Sequence, residues 1–422
     1  MRRELAWGAA VVVLLAPGCR RSTDASNPPV DSGPPSTASV VASPPAVGPA
    51  RCVGAGEGLA IAAPQDLELG DAVAVPDGYA VGLIHRTPAG RVGAVAFVGR
   101  AATTVQVVDL APTLGDAPPP RLAVRGADLL AAEYVLPRKS DARTLAIQTV
   151  SAAGQTKAVG ALVQQRDDSF AFDLAPSLVV WDEAAPGAVP RGVVRLAEVA
   201  TDHVGGARDV SPAGVDAELP GVFPVQGTPR SFVVWIARAV EEAKVTDAAP
   251  ADEVTGEARA QSWLEATVVD ASGAPTGPVR RLTSQSGHVT AYDGVVLSGE
   301  PRPTLLIAAR DGGEPVDGSG GTLLRVRVRE DGVDAALGFP GDGLGRGIPS
   351  LVSSPRPWLS WVGPHEEARL LALDAEGAPA GPPSAEPLLD DALPLATWDD
   401  EHLLVGAPGD AAAPLRVLAC RR

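Results

Sequence analysis

The sequence predicts an all-β protein made of repeated units, and three observations support this fold class. Hydrophobic residues make up 45% of the 422 residues but aromatic residues only 4%, so valine, leucine and alanine must fill most of the core. Such residues suit many short strands better than a few large helices. In addition, one segment occurs twice with nearly the same sequence, and a short apolar run recurs along the chain. We therefore expect repeated β-sheet units.

The duplicated segment lies at 269–278 and again at 373–382, a spacing of 104 residues or two units of 52. Both copies follow an apolar run and share an Asp, a Gly and the ending Ala-Pro-x-Gly-Pro. Asp and Gly adopt the backbone conformations of tight turns more readily than other residues. We expect two equivalent hairpin turns, with looser versions at 151–154 and 329–332.

The recurring apolar run ends in Trp or in a small residue. It occupies 179–181, 233–235, 306–308, 359–361 and 404–406, with weaker members around Leu83 and Glu133. The intervals are 45 to 54 residues, except for one of 73 residues that contains an acidic, alanine-rich insertion at 238–261. Seven units of this length, each with three or four short strands, resemble seven-bladed β-propellers. The alternative fold is a row of tandem β-sandwich domains.

Closure of such a ring can be read from the two ends of the repeat region, 52–422. The last unit has room for three strands, at 393–398, 402–407 and 415–419, and the stretch 52–63 could supply the missing outer strand. This arrangement places Cys52 beside Cys420, and an exported compartment permits a disulfide between them. The alternative is two free buried thiols.

The N-terminus predicts export. Arg2 and Arg3 precede an apolar stretch at 5–16 that is too short to span a bilayer, so 1–18 is interpreted as a signal peptide. The sequence Leu-Ala-Pro-Gly-Cys at 15–19 resembles, in degenerate form, the lipobox of bacterial lipoproteins. The resemblance implies that Cys19 is acylated, with palmitate among the expected chains, and becomes the mature N-terminus. The alternative is ordinary signal-peptidase cleavage nearby, with Cys19 incidental.

Residues 19–51 are interpreted as a disordered tether. The part after Cys19 contains seven prolines and six serines and almost no large apolar residue, so it cannot bury enough surface to offset chain entropy. We expect anchoring to a bacterial membrane through lipid. Arg20 differs from the Asp that signals inner-membrane retention, which favours the outer membrane; a secreted or periplasmic protein is the alternative.

Charge and motifs exclude several function classes. The formal net charge of −16 makes nucleic acid an unsuitable partner, because such binding depends on clustered cations. His365-Glu366 begins like a zinc-protease helix, but Arg369 stands where the second histidine is needed. Two acidic segments, 311–321 and 399–401, are weak calcium candidates, and a solvated hairpin is the preferred interpretation of the second. The sequence assigns no catalytic, cofactor-binding or metal residue.

Two function classes remain. The first is a non-catalytic, monomeric envelope lipoprotein whose loops, especially the insertion 238–261, bind an envelope protein or glycan. The second is a propeller enzyme of hydrolase or lyase type that gathers polar residues from several units at a central channel, which would leave no linear motif. Charged residues at equivalent positions of the innermost strands would favour the second class, since the fold itself supports both.

Overall fold

The computed structural model describes residues 49–421 apart from gaps that fall mainly in connections. The gaps are 55–57, 60, 62–66, 89, 101–103, 136–142, 165–168, 187–190, 241–260, 299–301, 314, 316–319, 341–342, 354–355, 391, 398, 400 and 408–413. All described residues belong to the compact unit Ala46–Arg422. Cys19, the signal peptide and nearly all of the tether lie outside the described residues, as does most of the insertion.

Seven antiparallel sheets, here called blades 1 to 7, account for the described strands. Blade 1 contains β2 (Glu68–Val75), β3 (Gly78–Thr87), β4 (Gly90–Gly99) and β5 (Val105–Pro112). Blade 2 contains β6 (Arg121–Arg125), β7 (Asp128–Val135), β8 (Thr144–Val150) and β9 (Thr156–Val163). Blade 3 contains β10 (Phe172–Leu174), β11 (Leu178–Ala184), β12 (Gly192–Glu198) and β13 (Arg208–Asp209). Blade 4 contains β14 (Val215–Pro224), β15 (Arg230–Ala239), β16 (Ser262–Asp270) and β17 (Arg280–Arg281).

The remaining blades follow the same order from the innermost strand outward. Blade 5 contains β18 (Val289–Leu297), β19 (Thr304–Asp311), β20 (Thr322–Arg329), β21 (Gly332–Val333) and β22 (Leu337–Gly338), the last two both pairing with β20. Blade 6 contains β23 (Ser350–Val352), β24 (Trp358–Val362), β25 (Ala368–Ala372) and β26 (Ser384–Ala385), and a 3₁₀ turn (Pro387–Leu389) follows. Blade 7 contains β27 (Leu393–Thr397), β28 (His402–Gly406) and β29 (Leu415–Arg421), with β1 (Arg51–Gly54) as its outer strand.

The innermost strands close a ring. Each contacts the innermost strand of the next blade, from β2 through β6, β10, β14, β18 and β23 to β27, and β27 contacts β2 again. The protein is therefore a seven-bladed β-propeller, as the repeat spacing predicted, and the tandem β-sandwich alternative is wrong.

The ring is fastened in blade 7 as the sequence predicted. Strand β1 pairs with β29, with Cys52 opposite Cys420, and the two sulfurs form a disulfide at 2.03 Å. The bond joins residues 368 positions apart, so it ties the first described strand to the last. The alternative of two free thiols is wrong.

Hydrophobic cores fill the seams between neighbouring blades. The predicted column of tryptophans supplies three of them, because Trp181, Trp235 and Trp361 are all at most 6% exposed and each packs against the preceding blade. The strand register corrects one member of this column. Trp181 comes one residue after Val180, which lies opposite Asp173, and in blade 5 the residue opposite the equivalent Asp293 is Ala308. The equivalent of the tryptophans in blade 5 is therefore the next residue, Ala309. Alternation along a strand repeats every two residues, so a one-residue slip is not visible in an apolar run.

The duplicated segment forms the predicted equivalent turns, in blades 4 and 6. Asp270 accepts hydrogen bonds on Oδ1 from the N–H groups of Ser272 and Ala274 at 2.9 and 3.0 Å, and Asp374 does the same for Glu376 and Ala378 at 3.0 and 2.7 Å. The glycines three positions after each Asp have φ of +80° and +74°, a conformation that favours glycine. The 104-residue spacing thus corresponds to two blades.

Candidate functional site

The central channel gathers aspartates from blades 1, 3 and 5 and an arginine from blade 2. Equivalence between the innermost strands follows from their register with the second strand of each blade. Hydrogen bonds at these positions link blade 1 to 2, blade 3 to 4, blade 5 to 6 and blade 6 to 7. The equivalent residues, in blade order, are Asp71, Arg121, Asp173, Gly221, Asp293, Ser350 and Pro394. None of these residues lies in a sequence motif, because one residue comes from each blade, and only the register of the sheets aligns them.

Each channel aspartate bonds to the backbone of the following blade. Each Oδ2 atom accepts one hydrogen bond from a backbone N–H. Asp71 accepts from Leu122 at 3.2 Å, Asp173 from Val222 at 2.8 Å and Asp293 from Leu351 at 2.7 Å. The Oδ1 atoms of Asp173 and Asp293 accept from the next N–H of their own strand, at 2.9 and 2.8 Å. These carboxylates therefore clamp blade 1 to 2, blade 3 to 4 and blade 5 to 6.

The channel residues shift one another's pKa values across the channel. Burial raises the pKa of Asp173 and of Asp293 to about 6 and raises that of Asp71 as well, while Arg121 and the backbone donors act in the opposite direction. Burial alone would lower the pKa of Arg121, but Asp173, Asp71 and Asp293 together raise it. One guanidinium thus faces three carboxylates, so the channel is acidic.

The innermost strand of blade 4 contains a bulge next to Gly221, its residue at the channel position. Leu219 has φ of +52°, which is strained for a non-glycine residue, and its side chain is 43% exposed. The N–H of Leu219 donates to the Asp182 carboxylate at 2.7 Å, and the Tyr292 hydroxyl donates to the carbonyl of Leu219 at 2.8 Å. Neighbouring blades on both sides therefore hold this bulge.

The seam between blades 1 and 2 differs from the others in its core. Every other seam core contains at least one buried aromatic side chain among the described residues, but here the fully buried members are only alanine, valine and leucine. Glu133 occupies the position at which blades 3, 4 and 6 have tryptophan, and it is 1% exposed. Gly93 faces it, and a Cβ there would lie 2.0 Å from Glu133 Oε2, so only glycine leaves room for the carboxyl group.

Glu133 is a buried carboxyl group with few partners. Its Oε1 accepts from Gln148 Nε2 at 3.1 Å, and its Oε2 has no hydrogen-bond partner within the described part of the chain. Burial raises its pKa to about 8, and the nearby N–H of Ala111 and the Gln148 amide offset this only in part. The group is therefore mainly protonated at neutral pH.

A cleft of about 850 Å³ opens in this same seam, on the side of the β2–β3 and β6–β7 turns. Its apolar walls include Val75 and the half-buried Phe97 of blade 1 and Val124 and Leu129 of blade 2. Exposed polar residues, among them Lys157, surround its mouth. The volume falls within the range of ligand sites in proteins.

Within the described residues, Asp311 and Asp399 of the two weak calcium candidates accept backbone hydrogen bonds. In the segment 311–321, the Asp311 carboxylate accepts from the N–H of His288 at 2.6 Å, while 314 and 316–319 lie outside the described residues. Buried Arg310 donates to carbonyls of the surrounding glycine-rich loops, those of Gly313, Gly320, Gly345 and Gly347. A cationic side chain thus takes the oxygens that a metal ion would need.

The segment 399–401 lies between the antiparallel strands β27 and β28, and a hairpin was the preferred interpretation. Asp399 Oδ1 accepts from the N–H groups of Glu401 and His402, both at 2.8 Å, and Asp400 lies outside the described residues. Among the residues that the structure covers, no group of three or more His, Cys, Asp or Glu side chains is arranged to hold a metal. In the same residues, no helix is long and apolar enough to cross a membrane.

Comparisons with known proteins give no family and only distant structural neighbours. No protein-family model and no curated protein matches the chain. Among solved structures, an ulvan lyase described as a polysaccharide lyase has a TM-score of 0.48 and 9% identity, covering 88% of this chain and 95% of that one. A protein of unknown function from Dyadobacter fermentans has 0.46 and 13%, covering 89% and 99%. The Dos1 propeller has 0.43 and 11%, covering 82% and 81%. Such low identities carry no activity over to this chain, whose own sheets identify it as a seven-bladed β-propeller.

Proposed function

We propose that the chain is a non-catalytic lipoprotein of the bacterial cell envelope, whose propeller is a rigid scaffold that binds an envelope protein or glycan. The observation that carries the proposal is the use of the channel carboxylates: Asp71, Asp173 and Asp293 each accept a backbone N–H of the next blade. A general acid or base must exchange its proton with a substrate. Groups that hold the ring together serve that purpose poorly.

The envelope location is supported by the N-terminal sequence and by the disulfide. Disulfides persist in oxidising compartments outside the cytoplasm, so the Cys52–Cys420 bond agrees with export. After removal of the signal peptide 1–18, acylated Cys19 and the tether 19–51 would hold the propeller at the membrane surface, on the outer membrane in the first instance. A secreted or periplasmic protein is the alternative.

The partner is expected at loops and edges of the propeller. The acidic insertion accounts for the one long interval between repeat units, and it lies between β15, which ends at Ala239, and β16, which begins at Ser262. We expect a monomer that needs no cofactor and does not bind nucleic acid.

The experiment that tests the anchor is the intact mass of the protein recovered from membranes of the native or a related host. We expect a mature N-terminus at Cys19 that carries acyl chains, and we expect a Cys19→Ala variant to leave the membrane fraction. A soluble, unacylated wild-type chain would overturn the lipoprotein assignment and favour a secreted scaffold.

A propeller enzyme is the second candidate. The innermost strands place three aspartates and Arg121 at equivalent positions, which is the pattern expected to favour this class. Asp173 and Asp293 have pKa values raised to about 6 and face the same channel as Arg121, so one protonated and one ionised carboxyl group could coexist near neutral pH. Incubation of the protein with envelope polysaccharides of the host, followed by assay of new reducing ends and of unsaturated products, decides between the candidates. We expect no turnover. Turnover that Asp173→Asn abolishes in a folded variant would establish the enzyme.

A further inference from the structure

Blades 1 and 2 have much longer outer strands than the rest of the propeller. Strands β5 and β9 contain eight residues each. The outer strands of blades 3, 4, 5 and 6 contain two residues each, and the outer strand of blade 7 contains four. A long outer strand presents a row of unpaired N–H and C=O groups, which is a template for another strand.

Strand β5 offers the more regular of the two edges. Its residues 105–109 pair with β4 without interruption, whereas a bulge divides the pairing of β9 with β8. The outer edge of β9 also carries Lys157, and lysine on an edge opposes strand addition. From Val105 to Val108 the β5 sequence has no charge and three β-branched residues.

The direction of the β5 backbone groups follows from one hydrogen bond. Gly99 N donates to Thr104 O at 3.1 Å, so Thr104 turns its backbone groups toward β4. Backbone direction alternates along an antiparallel strand, so Val105, Val107 and Asp109 turn their N–H and C=O groups outward. Among the described residues, β5 pairs with β4 alone.

The open cleft of the blade 1–2 seam lies beside this edge. Thr104, Val105 and Gln106 at the start of β5 line it, together with Phe97 on β4. The seam lacks the buried aromatic side chain that the other described seams contain. An apolar side chain from outside can therefore pack against the walls of this cleft.

We propose that residues 105–109 of β5 bind an extended segment of a partner polypeptide as a fifth strand of blade 1, with an apolar side chain of that segment in the cleft between blades 1 and 2. The occupant is a polypeptide because the edge offers alternating donors and acceptors at the spacing of a peptide backbone, which a glycan does not match. This inference rests on the proposed binding function and names the partner class.

A displayed library of random linear peptides, selected on the full-length protein, tests the proposal. We expect enriched peptides to share an apolar or aromatic residue and to slow amide hydrogen exchange in 104–110. Val107→Pro removes one outward N–H but none of the bonds to β4, and edge strands tolerate proline at such positions. We expect this variant to keep its thermal unfolding midpoint within a few degrees and to bind the selected peptide at least about tenfold more weakly.

Two matched variants separate the edge from general effects. Val107→Thr keeps the N–H group and should bind like the wild type. Ala161→Pro makes the corresponding change on β9. Gln164 N donates to Arg143 O, so the backbone groups of Gln164 turn toward β8 and, by alternation along the strand, the N–H of Ala161 turns outward. This variant should also leave binding intact. Phe97→Ala should weaken binding through loss of the cleft wall.

Several results would overturn the inference. Protection that falls outside β5, or equal loss of binding in Ala161→Pro and Val107→Pro, would place the site elsewhere. If Val107→Pro only converts a dimer of this chain into monomers, the occupant is a second copy. Binding of host envelope polysaccharide that the Phe97→Ala variant loses, without selection of any peptide, would make the cleft a glycan site. In each case the acylation of Cys19 and the absence of turnover would still report separately on the proposed function.

Discussion

At the scale of single residues, Glu133 shows how one substitution in a repeat changes a seam. Its position in blade 2 is the one that blades 3, 4 and 6 fill with tryptophan. A carboxyl group buries less apolar surface than an indole and remains under-bonded, since Oε2 lacks a partner among the described residues. The seam between blades 1 and 2 is accordingly the one described seam core without a buried aromatic side chain.

Glu133 should make stability depend on pH. Its pKa is about 8 in the folded protein and near the ordinary 4.5 in the unfolded chain, so the folded state holds the proton more tightly. This contribution to stability is complete below pH 4.5 and is lost as the pH rises through about 8. We expect Glu133→Gln to be close to wild type in the acid range and more stable, by on the order of 5 kcal/mol, above pH 8.

Urea unfolding of both proteins from pH 4.5 to 9 measures this difference, and the subtraction cancels the other titrating groups, the channel aspartates included. A constant difference between the two proteins across this range would show that the carboxyl group is hydrated in solution.

At the scale of elements, two equivalent hairpin turns show how the repeat is built. The hairpins of blades 4 and 6 use the same Asp and Gly, and both glycines also pack against the preceding blade. A Cβ on Gly273 would lie 2.2 Å from Leu196 Cδ1, and one on Gly377 would lie 2.8 Å from Leu306 Cδ2. A single residue type therefore serves both backbone conformation and seam packing.

Gly273→Ala should destabilise the protein more than its matched control, Gly227→Ala. Both glycines have positive φ, of +80° and +72°, but a Cβ on Gly227 would meet no atom within 4 Å. We expect about 1 kcal/mol for Gly227→Ala from backbone strain alone and about 2–4 kcal/mol for Gly273→Ala, which must also displace Leu196. Urea unfolding midpoints at one pH provide the comparison. Equal losses in the two variants would show that Leu196 moves aside without cost.

At the scale of the whole molecule, the ring is closed by one mixed blade. Strand β1 is contributed by the N-terminal end of the described chain and the other three strands of blade 7 by the C-terminal end, and one disulfide joins them. A link across 368 positions removes much of the freedom of the unfolded chain. Fraying of blade 7 is the expected route by which the ring opens.

Replacing both Cys52 and Cys420 by serine should lower the free energy of unfolding by about 2–5 kcal/mol. Amide exchange should rise first in β1 and β29, while the middle strands of blades 3 and 4 keep their protection. The same result is expected for reduced wild-type protein, which serves as the control for the substitutions. Unchanged exchange in β1 would mean that strand pairing alone holds the ring closed.

Most of the architecture could be predicted, but the candidate sites could not. The tryptophan column, the duplicated turn and the two end cysteines are local or paired signals, and they were sufficient for a seven-bladed ring and its closure. The error at Ala308 arose because a run of apolar residues does not reveal which face each one occupies. The aspartates of the channel left no signal, because each blade contributes only one residue and only the register of the strands aligns them.

The sequence by itself determined the length of the repeat, the chemistry of its turns and the pairing of Cys52 with Cys420, since these depend on residues close in sequence or few in number. It also predicts export and acylation of Cys19. Only the tertiary structure decided that Asp71, Asp173 and Asp293 clamp successive blades and that Glu133 stands in a tryptophan position. It also decided that, within the described residues, β5 has an unpaired edge beside a cleft. Those features depend on strand register and on contacts between blades about 50 residues apart, and such contacts have no local pattern in the chain.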